Sequence, residues 1–216
     1  MYVARNINND RSLFFITAMI DLGNTEIILA SQSPRRQQLL KEMGFNFRVM
    51  HSEAEEIYPE NLEIKQIPVY LAQLKANALK SFISENTILI SADTIVAVDN
   101  EVLGKPKDEA DAYRILKCIS GRKHQVITGV CIKSFSNEIS FFAESNVFFR
   151  ELSDDEIYFY IRNYKPFDKA GAYGIQEWIG YIGIERIEGS YFNVMGLPTQ
   201  MLYRQLNKFL KIQSDK

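Results

Sequence analysis

Ile27-Ile28-Leu29-Ala30-Ser31-Gln32-Ser33-Pro34-Arg35-Arg36 is the stretch on which the reading of this chain turns. Ile27 to Ala30 is a short apolar run of the kind that forms a buried strand. Ser33-Pro34 supplies an N-cap followed by proline at the first helical position, so a helix begins there. Leu39, Leu40 and Met43 share one helical face, and Gly44 is placed to stop the helix. A strand that passes through a short polar turn into a helix N-terminus presents free N–H groups and the positive end of a dipole. Arg35 and Arg36 in that first turn are either solvated arginines of a capped surface helix or phosphate ligands, with the Ser31 hydroxyl as a further donor; their opposition to the dipole favours the second.

The downstream pattern extends the same architecture. Phe45, Phe47 and Val49 alternate as a strand, and Leu71, Leu74, Ala78 and Phe82 form a helical stripe from about Pro68, with Lys75 on its flank. Thr87 to Val98 is β-branched and apolar except at Ala92-Asp93-Thr94, and reads as a central strand carrying a carboxylate. Ala112, Ile115, Leu116 and Ile119 mark a third helix closed by Gly121. His124–Phe135 and Ile139–Phe149 read as a hairpin, Ser153-Asp154-Asp155-Glu156 as a capping box, and 198–212 as a final helix. Strands and helices alternate and then give way to a hairpin. The expected fold is therefore α/β, with a mixed central sheet and flanking helices.

Bulk properties set the limits. The 216 residues are 46% hydrophobic and 24% charged, ordinary for a globular chain that buries a sizeable core. With 25 basic and 27 acidic side chains the net charge is −2, so no global positive field exists to gather nucleic acid or an anionic membrane, and an anion site has to be local. Two cysteines and two histidines build neither a disulfide framework nor structural zinc, which fits a reducing, cytoplasmic setting. The longest apolar run, Leu13 to Ile20, is far short of a membrane span, and no signal-peptide cleavage site follows it. No composition shift marks a domain boundary.

Chemistry concentrates in a few places. Asp93 in an apolar strand needs a cation or hydrogen-bond donors, because a lone buried carboxylate is expensive. The acidic run Ser52-Glu53-Ala54-Glu55-Glu56 could supply a second carboxylate for a hard divalent cation, although runs of this kind are commonly solvated loops. Lys105, in Gly104-Lys105-Pro106, projects from a loop that follows the Asp93 strand. Asp168-Lys169-Ala170-Gly171-Ala172-Tyr173-Gly174-Ile175-Gln176 ends in an amide able to pair with a base edge. Neither a P-loop nor a Gly-x-Gly-x-x-Gly fingerprint occurs. His51, His124, Cys118 and Cys131 read as surface, hydrogen-bonded or core residues.

Taken in order, LASQSPRR (29–36), SEAEE (52–56), LAQLKA (71–76), SADTIVAVDNEVLGKP (91–106), GRKHQVITGV (121–130), DKAGAYGIQ (168–176) and IEGSYFNVMGLP (187–198) resemble the Maf family, the septum-formation-inhibitor-like nucleoside triphosphate pyrophosphatases. The resemblance runs from Ile27 to about Leu210. It implies a fold similar to the inosine triphosphate pyrophosphatases, with an elongated mixed sheet and two lobes around a nucleotide cleft, often in a homodimer. The implied reaction cuts a nucleoside triphosphate between its α and β phosphates. By position, Asp93 falls on the catalytic proton acceptor, and Ser31, Arg36, Glu55, Lys75, Lys105 and Gln176 on other functional positions. Arg35, Thr94 and Gln176 match the branch that acts on dTTP and UTP.

The roles expected on that basis are catalysis by Asp93, Lys105 and Glu55, phosphate binding by Ser31, Arg36 and Lys75, and a divalent cation, Mg²⁺ or Mn²⁺, on Glu55 and Asp93. A carboxylate bound directly to the metal is a poorer base, so the two roles of Asp93 compete. Glu177 to Tyr181, including Trp178, departs from the small stretch many relatives carry and bears on the shape of the base pocket. Residues 1–24 lie outside the resemblance and read as a dispensable extension, with Met19 as an internal start, and 25–216 as one domain. The expected partner is a nucleoside triphosphate, with no nucleic acid and no membrane. Rival readings are a nucleotide-sensing regulator of septation, a house-cleaning enzyme for modified nucleotides and a nucleic-acid-binding module.

Overall fold

A computed structural model describes residues 20–214. The expectations placed on residues 1–19, including Met19 and most of the Leu13–Ile20 run, lie outside the described residues. Ile20 itself is buried in the main core and Leu22 packs against that core, so the packed unit reaches back before residue 25.

In chain order the elements are β1 (Glu26–Ala30), α1 (Pro34–Glu42), β2 (Phe47–Val49), α2 (Ile67–Ala78), β3 (Thr87–Val98), β4 (Glu101–Leu103), α3 (Glu109–Ile119), β5 (Lys123–Lys133), β6 (Glu138–Phe149), α4 (Asp154–Tyr164), α5 (Trp178–Gly183), β7 (Ile184–Glu188), α6 (Tyr191–Met195) and α7 (Thr199–Ser214). One mixed sheet runs β2-β1-β3-β5-β6-β7, with β4 paired to β3. The β1–β2 and β1–β3 pairs are parallel and the others antiparallel. No helix among the described residues is long and apolar enough to cross a membrane.

The period-2 pattern sorts the strands onto two faces. Ile27 and Leu29 of β1, with Ile88 and Ile90 of β3, join the large core beneath α1, α3, α4 and α7. The intervening Ile28, Ala30 and Leu89 pack with Ala72 and Ala76 of α2 on the other face. A sheet covered on both sides accounts for the almost unbroken apolar run of β3, which is buried at every position but Thr94.

The local signals behave unevenly. At α4 the capping box is complete, with the Ser153 hydroxyl accepting from the Glu156 N–H and the Glu156 carboxylate accepting from the Ser153 N–H. Ser33 occupies the N-cap of α1, but its side chain makes no capping bond. The stripe expected to continue to Phe82 stops at Ala78. A 3₁₀ turn over Lys80–Phe82 follows, Leu79 and Ile83 face the core, and Phe82 is exposed. The tighter turn rotates Phe82 off the face that a continuous α-helix would have given it. Four short elements, β4, α5, β7 and α6, have no periodic signal of their own.

Candidate active site

Strand β3 creates the site by outrunning its neighbour. Its pairing with β1 ends at Ala30 opposite Ser91, and β4 joins the same side only at Val96 opposite Leu103. Residues 92–95 thus have no strand on that side among the described residues, directly beyond the carboxyl end of a parallel strand, where open α/β sheets take their ligands. A cleft of about 430 Å³ opens there. Its walls carry five cationic side chains, Arg35, Arg36, Lys75, Lys105 and Lys169, against three carboxylates, Glu56, Asp93 and Asp168.

Consecutive residues of β3 face opposite ways, which divides the cleft into two wired halves. Asp93, only 8% exposed, points to the α2 side. There Lys75 Nζ contacts Asp93 Oδ1 and lies 2.8 Å from Glu56 Oε1. Lys105 Nζ reaches the other Glu56 oxygen at 3.4 Å. Desolvation alone would raise the Glu56 carboxyl pKa, but hydrogen bonding and charge from Lys75, then Lys105, outweigh it and hold the group below its ordinary value.

Thr94 points to the α1 side. Arg36 Nη2 donates to Thr94 Oγ1 at 3.0 Å, Nε donates to the Gly196 carbonyl at 2.8 Å, and Nη1 is 3.4 Å from Ser31 Oγ. The Thr128 hydroxyl donates to the Asn193 carbonyl at 3.0 Å, so Thr94, 2.9 Å away, donates to Thr128 and accepts from Arg36. This one-way chain fixes the guanidinium plane. Burial lowers the Arg36 pKa and Asp93 opposes the shift; the group remains a cation, as arginine does throughout proteins. Arg35 pairs with Asp168 at 3.3 Å, and Asp168 in turn with Lys169 at 2.7 Å.

The cleft wall also includes Gln176. Its Oε1 is buried and has no hydrogen-bond partner. Ser31, Arg35, Arg36, Lys75, Asp93, Thr94, Lys105 and Gln176 therefore converge as the sequence suggested. Glu55 does not: it is exposed and off the cleft wall, and its neighbour Glu56 takes the inward position. Lys169, buried to 7% exposure, belongs to the wall although sequence reasoning gave it no role. The signal available was an Asp-Lys pair opening a glycine-containing turn.

For a divalent cation, the described residues contain no cluster of three or more His, Cys, Asp or Glu that could form a cage. They do hold two carboxylates, Asp93 and Glu56, converging on one ammonium. That donor set fits a hard cation that takes one or two carboxylates and completes its shell with phosphate oxygens and water.

Sheet, cleft and charge distribution define an α/β protein whose cleft is lined by more cationic than acidic side chains. The sequence profile of the Maf-like protein family matches residues 26–209, and the chain belongs to that family. It is 50% identical over 196 residues to a dTTP/UTP pyrophosphatase of Porphyromonas gingivalis, an alignment covering 88% of this chain and 98% of that protein. It is 52% identical to a dTTP/UTP pyrophosphatase of Phocaeicola vulgatus, covering 87% and 98%, and 49% identical to one of Flavobacterium johnsoniae, covering 86% and 95%. A crystal structure of a nucleoside-triphosphatase/dITP/XTP pyrophosphatase from Mycobacterium abscessus overlaps 88% of this chain and 97% of its own at 14% identity and a TM-score of 0.41, too loose an overlap to place a residue or an activity.

Proposed function

We propose that this protein is a nucleoside triphosphate pyrophosphatase acting on dTTP and UTP. The observation that carries the reading is one cleft whose wall brings together a buried carboxylate, Asp93, a set of lysine and arginine side chains and the amide of Gln176, whose Oε1 has no hydrogen-bond partner. The names of the close relatives point the same way.

In this reading Arg36, Lys75 and Lys105, with the Ser31 hydroxyl, neutralise and orient the triphosphate. The incoming phosphates compete for the Lys75 ammonium and release Asp93 from its ion pair. Asp93 then accepts the proton of the attacking water. One water is consumed, one P–O bond forms, the α–β anhydride breaks, and pyrophosphate leaves. Glu56 would hold a divalent cation, Mg²⁺ or Mn²⁺, whose chemistry is to offset the charge that develops on the leaving pyrophosphate, and Asp93 would join it only at the expense of its role as base. Glu56 takes this role in place of Glu55, since only Glu56 faces the cleft. Arg35, Thr94 and Gln176 set base preference. A cytoplasmic homodimer remains part of the proposal.

The test is release of pyrophosphate from a panel of canonical, modified and 7-methylated nucleotides with Mg²⁺. The expected result is fastest turnover of dTTP and UTP. Binding without turnover would favour the sensor reading, and far faster turnover of modified nucleotides the house-cleaning one.

A further inference from the structure

The turn that presents Gln176 is closed at both ends by one phenol. The Glu177 N–H donates to the Gly174 carbonyl at 3.0 Å, which makes Gly174 to Glu177 a four-residue turn with Gln176 third. Tyr160, fully buried on α4, accepts from the Gly174 N–H at 3.0 Å and donates to Glu177 Oε2. The other Glu177 oxygen lies 3.2 Å from Lys169 Nζ. The Glu177 carboxylate folds back over Gly174 so closely that a Cβ there would meet it at 2.8–3.0 Å.

We propose that Tyr160 is a positioning residue for base recognition: through Gly174 and Glu177 it holds the turn that aims the Gln176 amide into the cleft, without touching substrate. This rests on the nucleotide reading given above. Glu177 is the second member of the device. Burial, then the bond to Glu177, raises the Tyr160 pKa, so the phenol keeps its proton and remains the donor. Lys169 and Asp168 extend the chain to Arg35, so the Gln176 turn and the first turn of α1 share one polar network. Removing the phenol oxygen leaves a buried N–H and a carboxylate each short of one partner, and the turn can relax by moving Gln176.

The experiment compares a ligand with a base, dTMP, and one without, pyrophosphate, by calorimetry, together with steady-state turnover of dTTP. In Tyr160→Phe the affinity for dTMP should fall about tenfold, the loss expected for one buried hydrogen-bonded pair. Pyrophosphate affinity should stay within about twofold, because Arg36, Lys75 and Lys105 are untouched, and KM for dTTP should rise with little change in kcat. Glu177→Ala, which removes the acceptor of the Tyr160 phenol, should give the same split and serves if Tyr160→Phe does not fold. Equal losses for dTMP and pyrophosphate, or no loss for either, would overturn the proposal. A parent enzyme that releases no pyrophosphate from dTTP or UTP would overturn the nucleotide reading instead, and the binding comparison is read independently of turnover.

Discussion

Gly129 of β5 stands directly across the ladder from Asp93 of β3, and the first turn of α2 rests on the space where its side chain would be. A Cβ on Gly129 would lie 2.2 Å from the Pro68 carbonyl carbon and 2.3 Å from the Val69 nitrogen. The helix that delivers Lys75 to Asp93 can approach the sheet this closely because residue 129 has no side chain. Gly129→Ala must therefore move backbone, an overpacking that costs about 3 kcal/mol, near the upper end for such changes. In a chain of this size the melting temperature should drop by about 6–12 °C. Turnover should fall further than the lost stability explains, since Lys75 moves with the helix. A variant with parental melting temperature and activity would show that α2 is not seated this way.

Asp93→Asn keeps the shape but accepts no proton. The fold should persist and nucleotide binding should be largely retained, while kcat drops about 10²–10⁴-fold. Turnover within a few-fold of the parent at saturating Mg²⁺ would remove Asp93 as the base and make Glu56 the candidate, a possibility that Glu56→Gln then tests.

His124 gives the protein an acid-sensitive core. Its Nε2 is 2.7 Å from the Tyr173 hydroxyl, its Nδ1 has no partner, and burial pushes the imidazole from 6.5 down to about 3. The unfolded chain then binds a proton between pH 6.5 and 3 that the folded chain refuses. Stability from this group is complete above pH 6.5 and is lost as the pH falls. Between pH 7 and pH 5 the loss is about 2 kcal/mol. Denaturant unfolding at the two pH values should show it, and His124→Gln should flatten the slope even if it lowers stability throughout. An unchanged slope in that variant would mean that other groups carry the acid sensitivity.

Truncation should separate two parts of the N-terminal stretch. Removal of residues 1–18 is expected to leave activity and melting temperature nearly unchanged. Removal of 1–24 also takes Ile20 and Leu22 from the main core. Loss of a buried isoleucine alone is worth about 2 kcal/mol, or about 4–8 °C in a chain of this length. Two truncations of equal stability would place the true edge of the packed unit elsewhere.

The elements legible in the sequence are those whose signal is local. The span of β3, the hairpin β5–β6, the capping box of α4 and the strand-turn-helix at Ala30–Pro34 each rest on periodicity or cap chemistry within a dozen residues, and each stands where that chemistry puts it. So does most of the cleft, because Ser31, Arg35 and Arg36 ride on a helix start and Asp93 and Thr94 on adjacent positions of one strand, whose alternation sends them to opposite faces. Tertiary structure alone decided between Glu55 and Glu56: they sit in an irregular segment with no period to say which points inward, and Lys75 and Lys105 select Glu56. The same holds for Lys169, for the Tyr160 clasp on the Gln176 turn and for α5, β7 and α6, short pieces held in place by contacts with distant residues rather than by preferences of their own. Hydrogen bonds and ion pairs between residues far apart in the chain leave no mark on local spacing, and the finer half of this site is made of them.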